Sequence, residues 1–374
     1  MRKAELSALT GIRFYAALFV FLSHVPLIPG MEQLAGRHLL FNAGVVAVSF
    51  FFVLSGFILT YNYADVFQNG VSASSHKRFA WDRLTKIYPV HLLTLLMALP
   101  IQIFSPNMPL DWRALPFHIF LLQCFWPFAR PTFFDYLNVP SWSISCEWFF
   151  YLLAPLAICF AVGRQRRFLP LILAGGYLFC LWSLLRYSQS DFTRLYFVSW
   201  FAPSRFPEFL AGVYLARGFL ANPASRTQTV ASLAQLGGIL LIVAGALYRE
   251  HAPWPMWGGL LYLPGSTLLV FGLASGGGLF AAHLSRPWLH RLGTASFSFY
   301  MLQAPMMRAL KGISLHFGWE VSNWARFCLV TVLLFVLVQG TALMVCYAYE
   351  IPLQKKLRSL MVVRRGVSQV EAVQ

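Results

Sequence analysis

The chain has 374 residues, 58% of them hydrophobic and only 11% charged, against about 25% charged in an ordinary soluble domain. Its mean hydropathy is +0.62. No soluble core in a chain of this length buries so much apolar side chain, which excludes a water-soluble globular protein and points to lipid as the apolar phase. The formal charge of +16 comes from 29 Lys+Arg against 13 Asp+Glu. These cations cluster at the ends of apolar runs, as loop-charge bias and anionic lipid explain. Nowhere do they interleave with stacking aromatics on a polar stretch, which argues against nucleic acid.

The apolar runs, taken in chain order, predict spans at Leu9–Leu27, Gly44–Asn62, Leu84–Ile103, Ser145–Val162 and Phe168–Leu185, then Tyr196–Ala216, Thr229–Leu247, Gly258–Leu279, Thr294–Leu310 and Ala325–Tyr347. Each is about 20 residues, as a helix crossing hydrocarbon requires. The first run follows Met1-Arg2-Lys3, but Arg13 interrupts it and no small-x-small cleavage site follows His24. It therefore reads as a span and not as a signal peptide. Ala114–Trp126 is too short to cross and reads as a re-entrant or interfacial helix. If it does not cross, Arg2 and Lys3, His76–Arg83, Gly163–Arg167, Arg217–Arg226, His283–Arg291 and the tail cations Lys355, Lys356, Arg358, Arg364 and Arg365 all share one side. The expected architecture is thus an all-α, polytopic transmembrane helical bundle of about ten spans, with both termini cytoplasmic. Residues 1–350 form the membrane domain and 351–374 a basic cytoplasmic tail; eleven spans is the competing count. Cys124, Cys146, Cys159, Cys180, Cys328 and Cys346 lie in or beside apolar segments without a CxxC pair or a zinc-like His/Cys spacing, so neither a disulfide framework nor a metal is expected.

Ionisable residues inside apolar runs need a reason, since each costs about 2.5–3.5 kcal/mol on insertion scales. Arg13 and His24 are 11 residues apart, about 20° past three helical turns and about 16 Å along the axis, hence on one face. They read as a polar stripe lining a cavity, or as a snorkelling arginine plus a span-end histidine. On the third run Arg83 and Lys86 are three apart ahead of Pro89, either a phosphate-binding helix start or ordinary cytoplasmic flanking. Ser143 and Glu147 share a face where the fourth run begins. A carboxylate there would orient His24 as a general base, whereas the plainer reading is a helix cap and a first-turn acid. Arg205 and Glu208, three apart in one run, read as mutual neutralisation or as a cavity-lining arginine. His91 and His118 read as core histidines.

In order along the chain, Leu9-Thr-Gly-Ile-Arg13 through His24, Phe50-Phe-Phe-Val-Leu-Ser-Gly-Phe57, Arg83-Leu-Thr-Lys86-Ile-Tyr-Pro89, Trp142-Ser-Ile-Ser-Cys-Glu147, Arg205-Phe-Pro-Glu-Phe-Leu-Ala-Gly212 and Ser296-Phe-Ser-Phe-Tyr300 together resemble the acyltransferase 3 family of integral membrane acyltransferases. Lys86 stands where the family usually has Arg, and Gln303 where many members have His. The resemblance implies transfer of an acyl group, most often acetyl, from cytoplasmic acyl-CoA to a hydroxyl of a cell-surface glycan or its lipid-linked precursor; a small acceptor such as a macrolide is the other class. It implies a multi-pass protein of the plasma (inner) membrane that needs acyl-CoA as co-substrate and no metal. His24, Glu147 and Arg13 become the catalytic candidates. Arg83, Lys86 and Arg13 become the candidates for acyl-CoA binding, and Ser143, Arg205 and Trp142 those for acceptor binding. Some members carry a fused extracytoplasmic hydrolase-like domain, and none is expected here. The rival reading is a transporter or flippase without chemistry, which would account for buried charges equally well but predicts inverted repeats that the sequence does not display.

Overall fold

The computed structural model describes residues 5–35, 43–104, 111–125, 137–163, 199–222, 227–249 and 259–371. The described residues are mostly helical, without a strand. In chain order the helices are α1 (Ser7–His24), α2 (Met31–Ala35), α3 (Gly44–Phe67), α4 (Ala73–Ile103), α5 (Leu115–Ile119), α6 (Ser141–Val162) and α7 (Ala202–Ala221). They continue with α8 (Gln228–Arg249), α9 (Leu263–Ala274), α10 (Ala281–Leu284), α11 (Pro287–Thr294), α12 (Ser296–His316), α13 (Trp324–Val345) and α14 (Ile351–Glu371).

Six of the described helical runs are long and apolar enough to cross a membrane: Ser7–Leu27, Gly44–Phe67, Ala73–Ile103, Ser141–Val162, Gln228–Tyr248 and Trp324–Met361. Of the other expected spans, Phe168–Leu185 lies outside the described residues. Tyr196–Ala216 corresponds to α7 and Thr294–Leu310 to α12. Gly258–Leu279 corresponds to a short 3-10 turn, Leu260–Tyr262, followed by the 12-residue α9. The run at 114–126 yields only the five-residue α5, far too short to cross at about 1.5 Å per residue. After it, Leu121 adopts a left-handed backbone, φ 57°, and the chain folds back onto α6. The Ser145 hydroxyl donates to the Leu121 carbonyl (2.8 Å) and accepts from the Cys124 amide (3.1 Å). The Cys124 carbonyl accepts the Ala202 amide at the start of α7 (2.9 Å). Irregular backbone at depth is tolerated only when buried in protein and satisfied in this way.

The boundary expected at 350/351 falls inside continuous helix. A π turn, Cys346–Glu350, joins α13 to α14, and α14 lies back along α4. The Trp81 indole donates to the Leu357 carbonyl (3.1 Å), and Arg358 pairs with Asp82 (3.4 Å).

The bundle is organised around α3, which packs against α1, α6, α7 and α9. Phe52 of α3, Phe150 of α6 and Phe209 of α7 form a fully buried aromatic core, with ring centroids 5.0 and 5.4 Å apart. By contrast α8 and α13 turn rows of leucine and valine outward, Leu233 and Leu240 on the first, Val332, Val336 and Leu337 on the second, as lipid-facing helices do. Association inside lipid lacks a hydrophobic drive and relies on close van der Waals approach at small residues. The α3–α7 crossing shows this. Gly56 faces the Phe209 carbonyl, and Gly212 faces the Val53 carbonyl and the Phe57 amide, so closely that a Cβ at either position would collide with backbone. Gly212→Val is therefore expected to cost roughly 1–3 kcal/mol, as overpacking does. A clear drop in the thermal unfolding midpoint in detergent is the check; an unchanged midpoint would mean that the crossing is not tight.

Candidate active site

The third predicted span is longer than its apolar stretch. Ser72 caps α4, its hydroxyl accepting from the Ser75 amide (3.1 Å) in a reciprocal box. Helix therefore runs from Ala73 through the whole basic stretch. Arg83 and Lys86 lie about three turns inside α4 at 3.6 residues per turn, and Pro89 is an interior proline. This corrects the expectation of a helix start at Arg83: the backbone amides there are taken up by the helix, and only side chains remain to bind an anion. The Arg83 guanidinium donates to the Tyr63 phenol (3.3 Å) and lies over the Tyr63 and Phe79 rings. Lys86 forms an ion pair with Glu350, whose side chain is fully buried.

Helix α6 begins at Ser141, with Pro140 at its N-cap position and no side-chain cap. Neither plainer reading holds: Ser143 is not a cap, and Glu147 lies beyond the first turn. The Ser143 hydroxyl donates to the Pro140 carbonyl (3.0 Å) and shares a hydrogen bond with the Tyr300 phenol (2.7 Å). Glu147 accepts from the Tyr151 phenol one turn later (2.7 Å) and lies within electrostatic reach of Arg13 and Arg83.

Arg13 and Glu147 meet across a cavity of about 240 Å³ between α1, α3, α4, α6 and α12. Arg13, Arg83, Lys86, Glu147, Ser143 and Tyr300 are among its polar groups; Phe51, Ile58 and Phe297 belong to its apolar wall. Three cations thus line it against one carboxylate. Among the described residues the Arg13 guanidinium has no hydrogen-bonding or ion-paired protein partner, so its donors face the cavity. Such a site suits an anionic ligand with an apolar portion.

The structure places His24 elsewhere. It is the last residue of α1 and is not part of the cavity lining. Its Nδ1 donates to the Val20 carbonyl (2.9 Å), so in the neutral ring Nε2 carries the lone pair. The carbonyl of its own helix orients this imidazole; no hydrogen bond joins it to Glu147 among the described residues. Phe21, one turn earlier, lies against Phe299 (5.6 Å), which brings the His24 turn near the turn of α12 that carries Tyr300. Arg308 of α12 is within electrostatic reach of His24 and donates to the Leu137 carbonyl (2.8 Å).

Arg205 is also outside the lining. Its Nε and Nη2 grip the two Glu208 oxygens (2.6 and 3.1 Å), Nη2 reaches the Ser49 hydroxyl (3.1 Å), and Nη1 donates to the Ser199 carbonyl (2.8 Å). Its guanidinium sits 5.1 Å from the Phe52 ring centroid and 5.6 Å from that of Trp142. Arg205 is 2% and Glu208 1% exposed. This is a closed, neutralised pair behind the cavity wall, and Trp142 stacks on it outside the lining as well. His91 is a core histidine whose Nε2 meets the His118 carbonyl (2.8 Å). Among the described residues no cluster of His, Cys, Asp or Glu is placed to hold a metal.

Sequence reasoning missed Glu350, Ser298 and Tyr151, and left Tyr300 without a role. Glu350 carried a signal, an acid closing an apolar run at Cys346-Tyr-Ala-Tyr-Glu350. The two phenols and Ser298 are distinguished only by what faces them.

The family model described as "Acyltransferase domain" matches residues 6–343. Acyltransferase MdmB of Streptomyces mycarofaciens is 32% identical over 332 residues, covering 82% of this chain and 80% of that protein. Peptidoglycan O-acetyltransferase OatA of Listeria monocytogenes is 25% identical over 76% of this chain and 49% of its own length. O-acetyltransferase OatA of Staphylococcus aureus is 24% identical over 81% and 50%. The chain thus spans about half the length of the OatA proteins. No solved structure matches.

The closed pair yields a stability test. Arg205→Met strands the buried Glu208 carboxylate, and loss of one partner of such a pair costs about 3–5 kcal/mol. Arg205→Met with Glu208→Leu is expected to recover most of that loss in the unfolding midpoint. A single variant as stable as wild type would refute the pairing.

Proposed function

The chain belongs to the acyltransferase 3 family and is a membrane enzyme that transfers acyl groups, and we propose that it moves an acetyl group from acyl-CoA to a hydroxyl of a cell-surface glycan or its lipid-linked precursor. Family membership sets aside the transporter reading. The observation that carries the choice of donor is the cavity, in which Arg13, Arg83 and Lys86 face one another across an apolar wall. Coenzyme A combines phosphates with a long, weakly polar pantetheine arm, which matches such a lining. The names of the OatA relatives, O-acetyltransferases acting in one case on peptidoglycan, support a glycan hydroxyl as acceptor.

In this reading the enzyme sits in the plasma membrane with both termini cytoplasmic, and the phosphates enter from the end of α4. Arg83 and Lys86 hold them as side-chain cations. The arm runs along the cavity past Arg13, whose unpartnered donors hold a carbonyl oxygen of the pantetheine arm and aim the thioester towards the His24 end of α1. Glu147, fixed by Tyr151, lies in electrostatic reach of that guanidinium and offsets its charge. The acceptor oxygen attacks the carbonyl carbon, the C–S bond breaks, and the departing thiolate takes up a proton. The acceptor's proton passes to Nε2 of His24, whose lone pair is oriented by the hydrogen bond that Nδ1 makes. If the acyl group is instead carried on His24, the same nitrogen attacks first and the acceptor second. Ser143 and Tyr300, joined by their hydrogen bond, line the cavity near the His24 turn and provide the surface for the acceptor. Arg205 and Trp142 support that wall from behind.

The test is transfer from radiolabelled acetyl-CoA by the purified protein in nanodiscs. His24→Ala is expected to reduce label transfer by about 10²–10⁴-fold, the usual contribution of a positioned acid–base group, and Arg13→Ala to raise the KM for acetyl-CoA about tenfold, the scale of one charge-assisted contact. A folded wild-type protein that neither binds nor consumes acetyl-CoA would overturn the choice of donor.

A further inference from the structure

Glu350 is the one fully buried carboxylate among the described residues that the proposed chemistry does not use and that touches a cavity-lining cation. Its two oxygens are engaged by two other helices. Lys86 of α4 pairs with Oε1, and the Ser298 hydroxyl of α12 donates to Oε2 (2.6 Å). The side chain of Lys86 is 29% exposed and lines the cavity. An ammonium has three donors; one is held by Glu350, and the others remain for a ligand.

Glu350 closes the turn that joins α13 to α14. Cys346–Glu350 is a π turn within otherwise continuous helix. A π turn adds a residue without ending the helix, so the residues beyond it are rotated by about 100° relative to an uninterrupted α-helix. Glu350 continues the buried face of α13, after Leu334, Val338, Ala342 and Cys346, while Tyr347 in the same turn is exposed. Tyr349 donates to the Pro89 carbonyl (3.4 Å), and further along Leu357 and Arg358 meet Trp81 and Asp82. The stretch of α4 from Trp81 to Pro89, which carries both Arg83 and Lys86, is thus fastened along residues 349–358.

We propose that Glu350 is the positioning residue of the donor site: it holds the Lys86 ammonium at the cavity wall, so that a phosphate-bearing thioester meets a fixed cation instead of a mobile lysine side chain. This rests on the reading of the cavity as the acyl-CoA site. Fixing a four-carbon stem in advance removes its ordering cost from the binding step. The effect therefore belongs to donor affinity and not to the chemical step.

The experiment measures acetyl-CoA kinetics and coenzyme A affinity in nanodiscs for wild type, Glu350→Gln, Lys86→Gln, the double variant and Ser298→Ala. Glu350→Gln is expected to raise the KM for acetyl-CoA and the Kd for coenzyme A about tenfold, the scale of one charge-assisted contact, with kcat within about twofold. The double variant is expected to match Lys86→Gln alone, because two residues acting through one contact are not additive. Ser298→Ala, which loosens the carboxylate without removing its charge, is expected to shift KM in the same direction by less; it carries the test if Glu350→Gln does not fold. In wild type, Lys86 is expected to react slowly with an amine-modifying reagent, and faster in Glu350→Gln. An unchanged KM in Glu350→Gln, a fall in kcat in its place, or penalties that multiply in the double variant would each overturn the proposal. So would a Lys86→Gln variant with wild-type donor affinity, while the enzyme reading stood as long as wild type consumed acetyl-CoA. A wild type that does not bind coenzyme A would instead remove the donor reading, and this inference with it.

Discussion

An ionised side chain within the hydrocarbon slab costs about 2.5–3.5 kcal/mol on insertion scales, and this chain places several there. The bundle resolves each in a different way. Arg205 and Glu208 are closed on each other, with the guanidinium capped by two aromatic rings and bonded to Ser49 and the Ser199 carbonyl. Lys86 and Glu350 are half closed, since one partner is buried and the other reaches the cavity. Arg13 stays open, its donors facing the cavity, with Glu147 in electrostatic reach as its compensating charge. The degree of closure separates structural charges from those with capacity left for a ligand.

That gradation depends on how the helices are brought together. The tight α3–α7 crossing at Gly56 and Gly212 seats the Arg205–Glu208 pair against Ser49 and Phe52 of α3, while the opposite side of α3 contributes Phe51 and Ile58 to the cavity. On the other flank, α4 extends past the apolar stretch to Ala73, so its cations are held on a rigid rod and not on a loop. The helix that ends the described chain lies along that rod. A basic segment that composition alone assigns to headgroup attraction therefore also braces the wall of the cavity.

His24 shows how a plausible pairing dissolves in three dimensions. Sharing a helix face with Arg13 is a property of one helix, and it holds. Meeting Glu147 is a property of two helices packed in a given register, and there the carboxylate turns to Tyr151 while the imidazole turns to its own backbone. The outcome leaves Nε2 with its lone pair, which is what general-base or nucleophilic chemistry requires, but supplies its orientation from an unexpected source.

Sequence alone established that the protein lies in a membrane, that it is helical, and that the charges in or beside its apolar runs, Arg13, Arg83, Lys86, Glu147, Arg205 and Glu208, are the residues to explain. These follow from composition and from periodicity within single helices, which are local quantities. Its family was legible for the same reason, in short blocks carried on individual helices. The tertiary structure decided which charges share a cavity and which neutralise one another, that Arg83 and Lys86 act from a helix interior, and that Glu350 joins Lys86 across 264 positions of chain. Apolar runs that face lipid, cavity and neighbouring helix are alike in composition. Which face meets which partner is set only when close packing and the cost of an unpaired buried charge are satisfied together.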